Sequence, residues 1–517
     1  MISISIQELY DLVKSLSKSE KRFFKLTVSA EPHAPILSKL FDDLEKSQSF
    51  DEAHFQKLLK QKSKSKIAIP SEKEIIKLTY DVILKSQRVF YAESIRGHVF
   101  KDEISNLRNL FDKAQYKQCR KMLTKLKQDA YAEESFNFIL EIISIEKQLL
   151  DIENKFGIDT KSLEELITEE QDLIEKAKNS GEYAQVFSQL NYQIRQNMVA
   201  KNTKDFEPYD KLLNSVLLKN KDKCLSKKAL VIYHHSRALC YSKKRDNVLR
   251  QAEFKHMVDL MDKHPFLITE FPKRYLSAIN NILSVEIEKC NYATAEKLIE
   301  HFITLKKHPA FNTTDLQLKI FTSTSNAQLL IYTDGGKSEK ALPVIKYINQ
   351  QIELYKEKIN KEELLIFYYN FANLYIYSQS FELAEKYVNI ILNENDKLLR
   401  QDLQCFSRIQ NIIVHYELKM FPQLKYILKT SRDFYKDQKY LFKTEKLILD
   451  VFEELLESQT PEIVWEKFLK ELKIVMKDVY EKMANYYFDF LAYGESKVSG
   501  KKIGDLIYSK QLQNWKK

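Results

Sequence analysis

The chain has 517 residues, more than one hydrophobic core usually organises, so it must contain several domains or an array of repeats. Only 8 Gly and 10 Pro punctuate it, too few for the turns of a β-rich fold or the phosphate loops of a doubly wound one, whereas 29 Tyr and 30 Phe supply ample core. With 44% hydrophobic and 30% charged residues it is neither disordered nor membranous in type, and its formal charge of +10 is laid out in blocks: basic to about residue 130, acidic over 131–180, basic again over 181–260.

In chain order, the start at Met1 lacks a basic leader and meets Glu8 and Asp11 at once, which makes a poor secretory signal. Ile6, Leu9, Tyr10, Val13 and Leu16 form the stripe of an amphipathic helix. Ser17 with Glu20 makes a capping box that opens a second helix bearing Phe23, Phe24 and Leu26. Pro32 and Pro35 interrupt it, and the helical period resumes over Ile36 to Leu44. Five lysines between Lys57 and Lys66 read as a solvated helix end and loop. Ser71 and Glu74 form another capping box, before a helix whose buried stripe is expected at Ile75, Leu78, Val82, Ile83, Val89 and Phe90.

From about residue 100 a local pattern recurs: a large residue at a helix start, a small one three later, an aliphatic one four beyond. It occurs as Tyr116, Cys119, Leu123; as Tyr292, Ala295, Ile299; as Phe381, Ala384, Val388; more loosely as Phe421, Leu424, Leu428; and Ser338, Ala341, Ile345 keep the last two positions. Fainter copies are expected at Thr160, Leu163, Ile167; Tyr209, Leu212, Val216; and Leu249, Ala252, His256. One helical hairpin cannot bury both its faces, so such spacing implies hairpins stacked on one another, with the small residue admitting a close neighbour.

At these residues the chain resembles the tetratricopeptide repeat, which places a large residue nine positions before the small one, as Leu110, Tyr332 and Tyr375 do here. Glu286 and His415 depart from that pattern, and the period of about 40–49 residues exceeds the family's 34. The stretch from Leu78 to Phe90 leading to Leu107 and the Tyr116 unit also resembles a group of uncharacterised bacterial helical-repeat proteins. The resemblance implies an all-α solenoid of stacked antiparallel hairpins. Residues 1–96 would form a helical N-terminal module, 97–440 the repeats, and 441–517 C-terminal capping helices with a basic tail that reaches Trp515. Thr460-Pro461 is expected to start one long capping helix running to Gly494.

The chemistry-bearing motifs are mostly missing. No P-loop, Gly-x-Gly-x-x-Gly, His-Glu-x-x-His or Gly-x-Ser-x-Gly occurs, so no catalytic residue, cofactor or metal is expected. Gly335-Gly336 reads as a turn within a repeat. His234, His235, His256 and His264 read as packing or surface histidines, Cys119 and Cys290 as core, and the pairs Glu164-Glu165 and Glu169-Glu170 as solvated helix surface. Five scattered cysteines without a Cys-x-x-Cys pair suit a reducing, cytoplasmic location, and the apolar run from Leu364 to Tyr377 falls short of the ~20 residues that span a bilayer.

Tyr368, Phe371 and Tyr375 share the core-facing stripe of their helix, whereas Tyr369 and Tyr377 point elsewhere and are candidate anchors for a protein or peptide partner in a concave groove. The expected role is therefore a non-catalytic scaffold or adaptor. The alternative is a nucleic-acid-associated regulator that uses the basic segments near 57–66 and 219–250.

Overall fold

The computed structural model describes residues 4–62, 70–91, 96–155, 163–196, 203–355, 358–396, 399–438, 443–478 and 480–514. Among these there is no strand, and no helix is long and apolar enough to cross a membrane. Trp515, Thr160 and residues 63–66 of the lysine run lie outside the described residues. The chain divides into two compact units, Met1–Ile174 and Glu175–Lys517, with the division inside the helix Leu163–Gln196.

In the first unit the helices Ile6–Ser15, Lys18–Thr27, Ala34–Lys46 and Glu72–Phe90 enclose Leu9, Phe24, Leu37, Phe41 and Ile83. The capping boxes at Ser17/Glu20 and Ser71/Glu74 form as expected, and Ser5 with Glu8 makes a third. The buried stripe of Glu72–Phe90 is Ile75, Ile76, Thr79, Val82, Ile83 and Ser86, so the expected Leu78 and Val89 face solvent. A second core gathers Phe100, Leu107, Cys119, Leu123, Ile139 and Leu173. Part of the acidic block turns inward here, which corrects the expectation of a solvated face. Arg120 pairs with Glu146 and Glu153, Lys127 reaches Glu146 at 2.5 Å and Glu169 at 2.9 Å, and Lys147 reaches Glu170 at 2.6 Å.

The second unit is built largely from paired helices. Lys227–Lys244 turns into Asn247–Lys263, Pro272–Glu288 into Tyr292–Thr304, and Thr314–Asp334 into Ser338–Tyr355. Lys361–Tyr377 turns into Phe381–Leu392, and Gln401–Glu417 into Phe421–Gln438. From Pro272–Glu288 onward, each first helix also packs on the first helix of the next pair.

One turn joins every one of these pairs. The residue two positions before the second helix has positive φ: Arg245, Cys290, Gly336, Gln379 and Lys419, with Ala114 doing the same before Tyr116–Ala132 in the first unit. The next N–H closes back on a carbonyl five residues earlier: Asp246 to Tyr241, Asn291 to Glu286, Lys337 to Tyr332, Ser380 to Tyr375, Met420 to His415, and Gln115 to Leu110. This is the Schellman closure of a helix C-terminus. It explains why Glu286 and His415 are tolerated where the repeat pattern wants a large residue: the turn uses their backbone carbonyls.

The large, small and aliphatic positions land as read at Tyr116, Tyr292, Ser338, Phe381 and Phe421, each a helix start, with Cys119, Ala295, Ala341, Ala384 and Leu424 fully buried. The fainter copies do not. Leu163 and Ile167 are exposed, and Val216 is 73% exposed at the start of a four-residue helix. In the helix Asn247–Lys263 the turn puts the repeat positions at Asn247, Arg250 and Phe254, two residues before the expected Leu249, Ala252 and His256. Cys290, read as a core residue, is the positive-φ residue of its turn.

Candidate functional site

The expected single helix from Pro461 to Gly494 is broken. Pro461–Val475 ends in a turn, Glu481–Met483 forms a short 3-10 segment and Ala484–Tyr487 a single helical turn, and the helices Phe490–Ser499 and Ile503–Asn514 follow. Gly494 does not stop a helix. A Cβ there would come within 3.2–3.3 Å of Phe468 and Leu469, so glycine permits the close packing of Phe490–Ser499 on Pro461–Val475, and Gly500 (φ 69°) is the true stop. The break is stabilised by groups the sequence did not single out. Buried Glu481 accepts from the Lys443 N–H at 3.0 Å, the Thr444 N–H at 2.9 Å and the Thr444 hydroxyl at 2.8 Å, capping the start of Lys443–Glu457. Asp489 caps Phe490–Ser499 by accepting from the Ala492 N–H at 2.8 Å.

The freed segment lies across the first helices of two pairs and covers the residues expected to anchor a partner. Tyr369 is 3% exposed and Tyr377 5%. The Tyr369 hydroxyl and Asn373 Nδ2 both donate to the carbonyl of Tyr487, at 3.1 and 2.8 Å, and the Asp489 N–H donates to the Tyr377 hydroxyl at 2.8 Å. Tyr487 stacks on Phe406 with centroids 4.1 Å apart, and its hydroxyl donates to Asp402, which is itself held by Arg400. Tyr493 donates to Glu417 at 2.6 Å. Tyr369 and Tyr377 do point away from the Tyr368, Phe371 and Tyr375 stripe, but onto this segment. Burial raises the ionisation of both well above the usual tyrosine range, so they remain neutral donors and acceptors.

Beneath the segment is a cavity of about 590 Å³ between residues of the first helices, from Ile287 to Leu403, and residues 476–507. Asp334, at the end of Thr314–Asp334, and Asp489 both line it. Burial, with the negative charges of Asp489 and Glu288 added, pushes the Asp334 carboxyl up to about 7, and burial raises Asp489 as well. The turn after Asp334 is pinned from outside. Gly336 has φ 64°, and a Cβ on it would sit 2.3 Å from the Gly504 carbonyl oxygen, so only glycine allows Ile503–Asn514 to approach. Gly335-Gly336 is thus the within-repeat turn that was expected, with a tertiary contact added.

The remaining singled-out residues serve packing. His234 Nδ1 lies 2.7 Å from Glu253, which Arg237 also reaches at 2.6 Å, and His234 and His256 have ring centroids 5.6 Å apart. His235 is buried against Phe187 and beside Arg274. Burial and that cation push it down to about 3, so it is neutral at physiological pH. Among the described residues no group of three His, Cys, Asp or Glu could hold a metal ion. In the basic stretch near 219–250, Lys228 pairs with Glu270, Arg237 with Glu253, Lys244 with Asp210 and Arg250 with Glu288, so much of that charge is matched internally.

The fold and site together define an all-helical protein of paired, closely packed helices with one chain segment laid across its first helices. No protein-family model matches the chain, and no curated protein matches it.

Proposed function

We propose that this protein is a non-catalytic scaffold or adaptor, a tetratricopeptide-like α-solenoid that takes a protein or peptide partner on the face formed by its first helices. The observation that carries the reading is the pair of donors on Tyr487: Asn373 and Tyr369 together hold one main-chain carbonyl, and Tyr377 holds the N–H of Asp489. These contacts recognise polypeptide backbone, so the face has the chemistry to receive an extended segment, with aromatic pockets for side chains such as Tyr487 and Phe488. A partner binds by replacing the chain's own segment.

Affinity capture from the native cell with three versions of the chain tests this. Tyr487→Ala loosens the covering segment without touching the face, so a partner should be retained more strongly than by the wild type. Adding Asn373→Ala should remove that gain. Identical retention by all three versions sinks the reading.

A further inference from the structure

The wall of the 590 Å³ cavity contains hydrogen-bond acceptors without matching donors. Asp334 receives no hydrogen bond or ion pair from a described residue, and Asp489 receives the Ala492 N–H and an amide hydrogen bond from Asn485. Asn370, only 8% exposed, donates Nδ2 to Asn326 at 3.3 Å, and its Oδ1 accepts from no described residue. Asn485 Oδ1 is buried with no partner at all.

Several of the donors nearby are engaged elsewhere, while Tyr377 and Tyr486, each with a hydroxyl, and Lys482 also line the cavity. Arg400 is committed to Asp402, the Thr333 hydroxyl to the Leu329 carbonyl at 2.7 Å, and Asn373 Nδ2 to Tyr487. Glu288 is paired with Arg250 and accepts a hydrogen bond from Asn247 Nδ2. Lys482 is exposed at the margin, and Lys510, which acts on Asp489 from a distance, pairs with Glu495 at 3.0 Å. A buried polar group without a partner costs about 1–3 kcal/mol, so a donor entering the cavity would relieve Asn485 Oδ1 and find further acceptors beside it.

We propose that the cavity is a binding site for a small organic cation of the alkylammonium class, with its N–H groups shared among Asp334, Asp489, Asn370 and Asn485. An ammonium group offers three donors and no acceptor, the complement of this wall once Asp334 has lost its proton above about pH 7, and the apolar lining of Leu330, Leu403 and Phe488 suits an alkyl chain. The volume lies in the range of small-molecule pockets. Glu288 and Cys290 also line the cavity, but among the described residues no three His, Cys, Asp or Glu groups are placed together to hold a metal, so the wall suits an organic cation better. The site stands independently of the scaffold reading.

Calorimetric titration of the full chain with butane-1,4-diammonium, against butane-1,4-diol at matched ionic strength, tests the assignment. Saturable one-to-one binding of the diammonium and none of the diol is expected. Asp334→Asn and Asp489→Asn should each weaken it by at least about tenfold. Both replacements are isosteric, and Asn at 489 still accepts the Ala492 N–H, so the fold is retained; an unchanged melting profile checks this. Equal binding of diol and diammonium, wild-type affinity in both variants, or no saturable binding of the diammonium overturns the proposal.

Discussion

Two neighbouring helices of one hairpin are buried in different ways. Phe381–Leu392 buries Ala384, Tyr387, Val388 and Ile391 along one stripe and shows Leu383 and Ile390 to solvent. Lys361–Tyr377 buries nine consecutive residues, Tyr369 to Tyr377, on every side. Gln401–Glu417 behaves like the latter, with an unbroken run from Ile409 to His415. Inner helices of this kind carry polar residues that must find partners indoors, and some do: Asn370 reaches Asn326, and Gln410 Nε2 donates to Asn373 Oδ1 at 2.6 Å, whereas Gln410 Oε1 and Asn411 Oδ1 are buried without one. The difference shows that an outer helix needs one neighbouring layer, whereas an inner helix needs a second layer, which the segment from 484 onward supplies.

That contrast can be broken most forcefully by emptying the second layer. Phe406→Ala, which removes the ring stacked on Tyr487, should cost about 3–5 kcal/mol, while Ile390→Ala on the outer helix should stay within about 0.5 kcal/mol. Urea unfolding followed by Trp465 fluorescence separates the two, and equal costs would remove the distinction between layers. Gly336→Ala comes next. The added Cβ meets Gly504 and must adopt positive φ, so a loss of about 2–4 kcal/mol is expected, together with faster amide exchange across Ile503–Asn514.

The covered cavity also gives the inner layer a pH dependence. Asp334 keeps its proton up to about pH 7 in the folded chain, whereas the unfolded chain loses it near pH 4. Stability from this group is therefore complete below about pH 4 and falls as pH rises through 7, at no more than about 1.4 kcal/mol per pH unit. Asp334→Asn should flatten that fall, and melting curves from pH 4 to 8 that match the wild type would count against it. The smallest effect belongs to the turns: Gln379→Gly or Lys419→Gly, each relieving a non-glycine residue at positive φ, should stabilise by about 0.5–1 kcal/mol in the same urea assay.

The outer helices were the legible part of the sequence, because one-sided burial leaves a stripe; Ala295, Ala341 and Ala384 could be picked out by spacing alone. The inner helices left no such signal. Their residues are apolar or amide all round, so nothing in Tyr369 or Tyr377 distinguishes a side chain awaiting a partner from one already covered by the chain itself. The turn was equally silent, since six of its seven positive-φ positions, Glu134 before Phe136–Lys155 included, hold Ala, Glu, Arg, Cys, Gln or Lys rather than Gly, and its closing bonds are main chain. The break after Val475 leaves no mark in the sequence, because Met476, Val479, Met483, Tyr487, Phe490 and Leu491 continue a helical stripe. Only the long-range partners of Glu481 and Asp489 show why the chain leaves it. The cavity brings Asp334 together with Asp489, and no local spacing reports such a pairing.

Tyr377 and the Asp489 N–H that it receives are 112 residues apart in the chain. At ~5–20 residues per second of synthesis, the strip of Tyr369, Tyr377 and Phe406 therefore stays uncovered for on the order of 10 seconds in every nascent molecule. During that interval the growing chain displays a contiguous aromatic surface, and protection from aggregation must come from outside the molecule until its own later residues arrive.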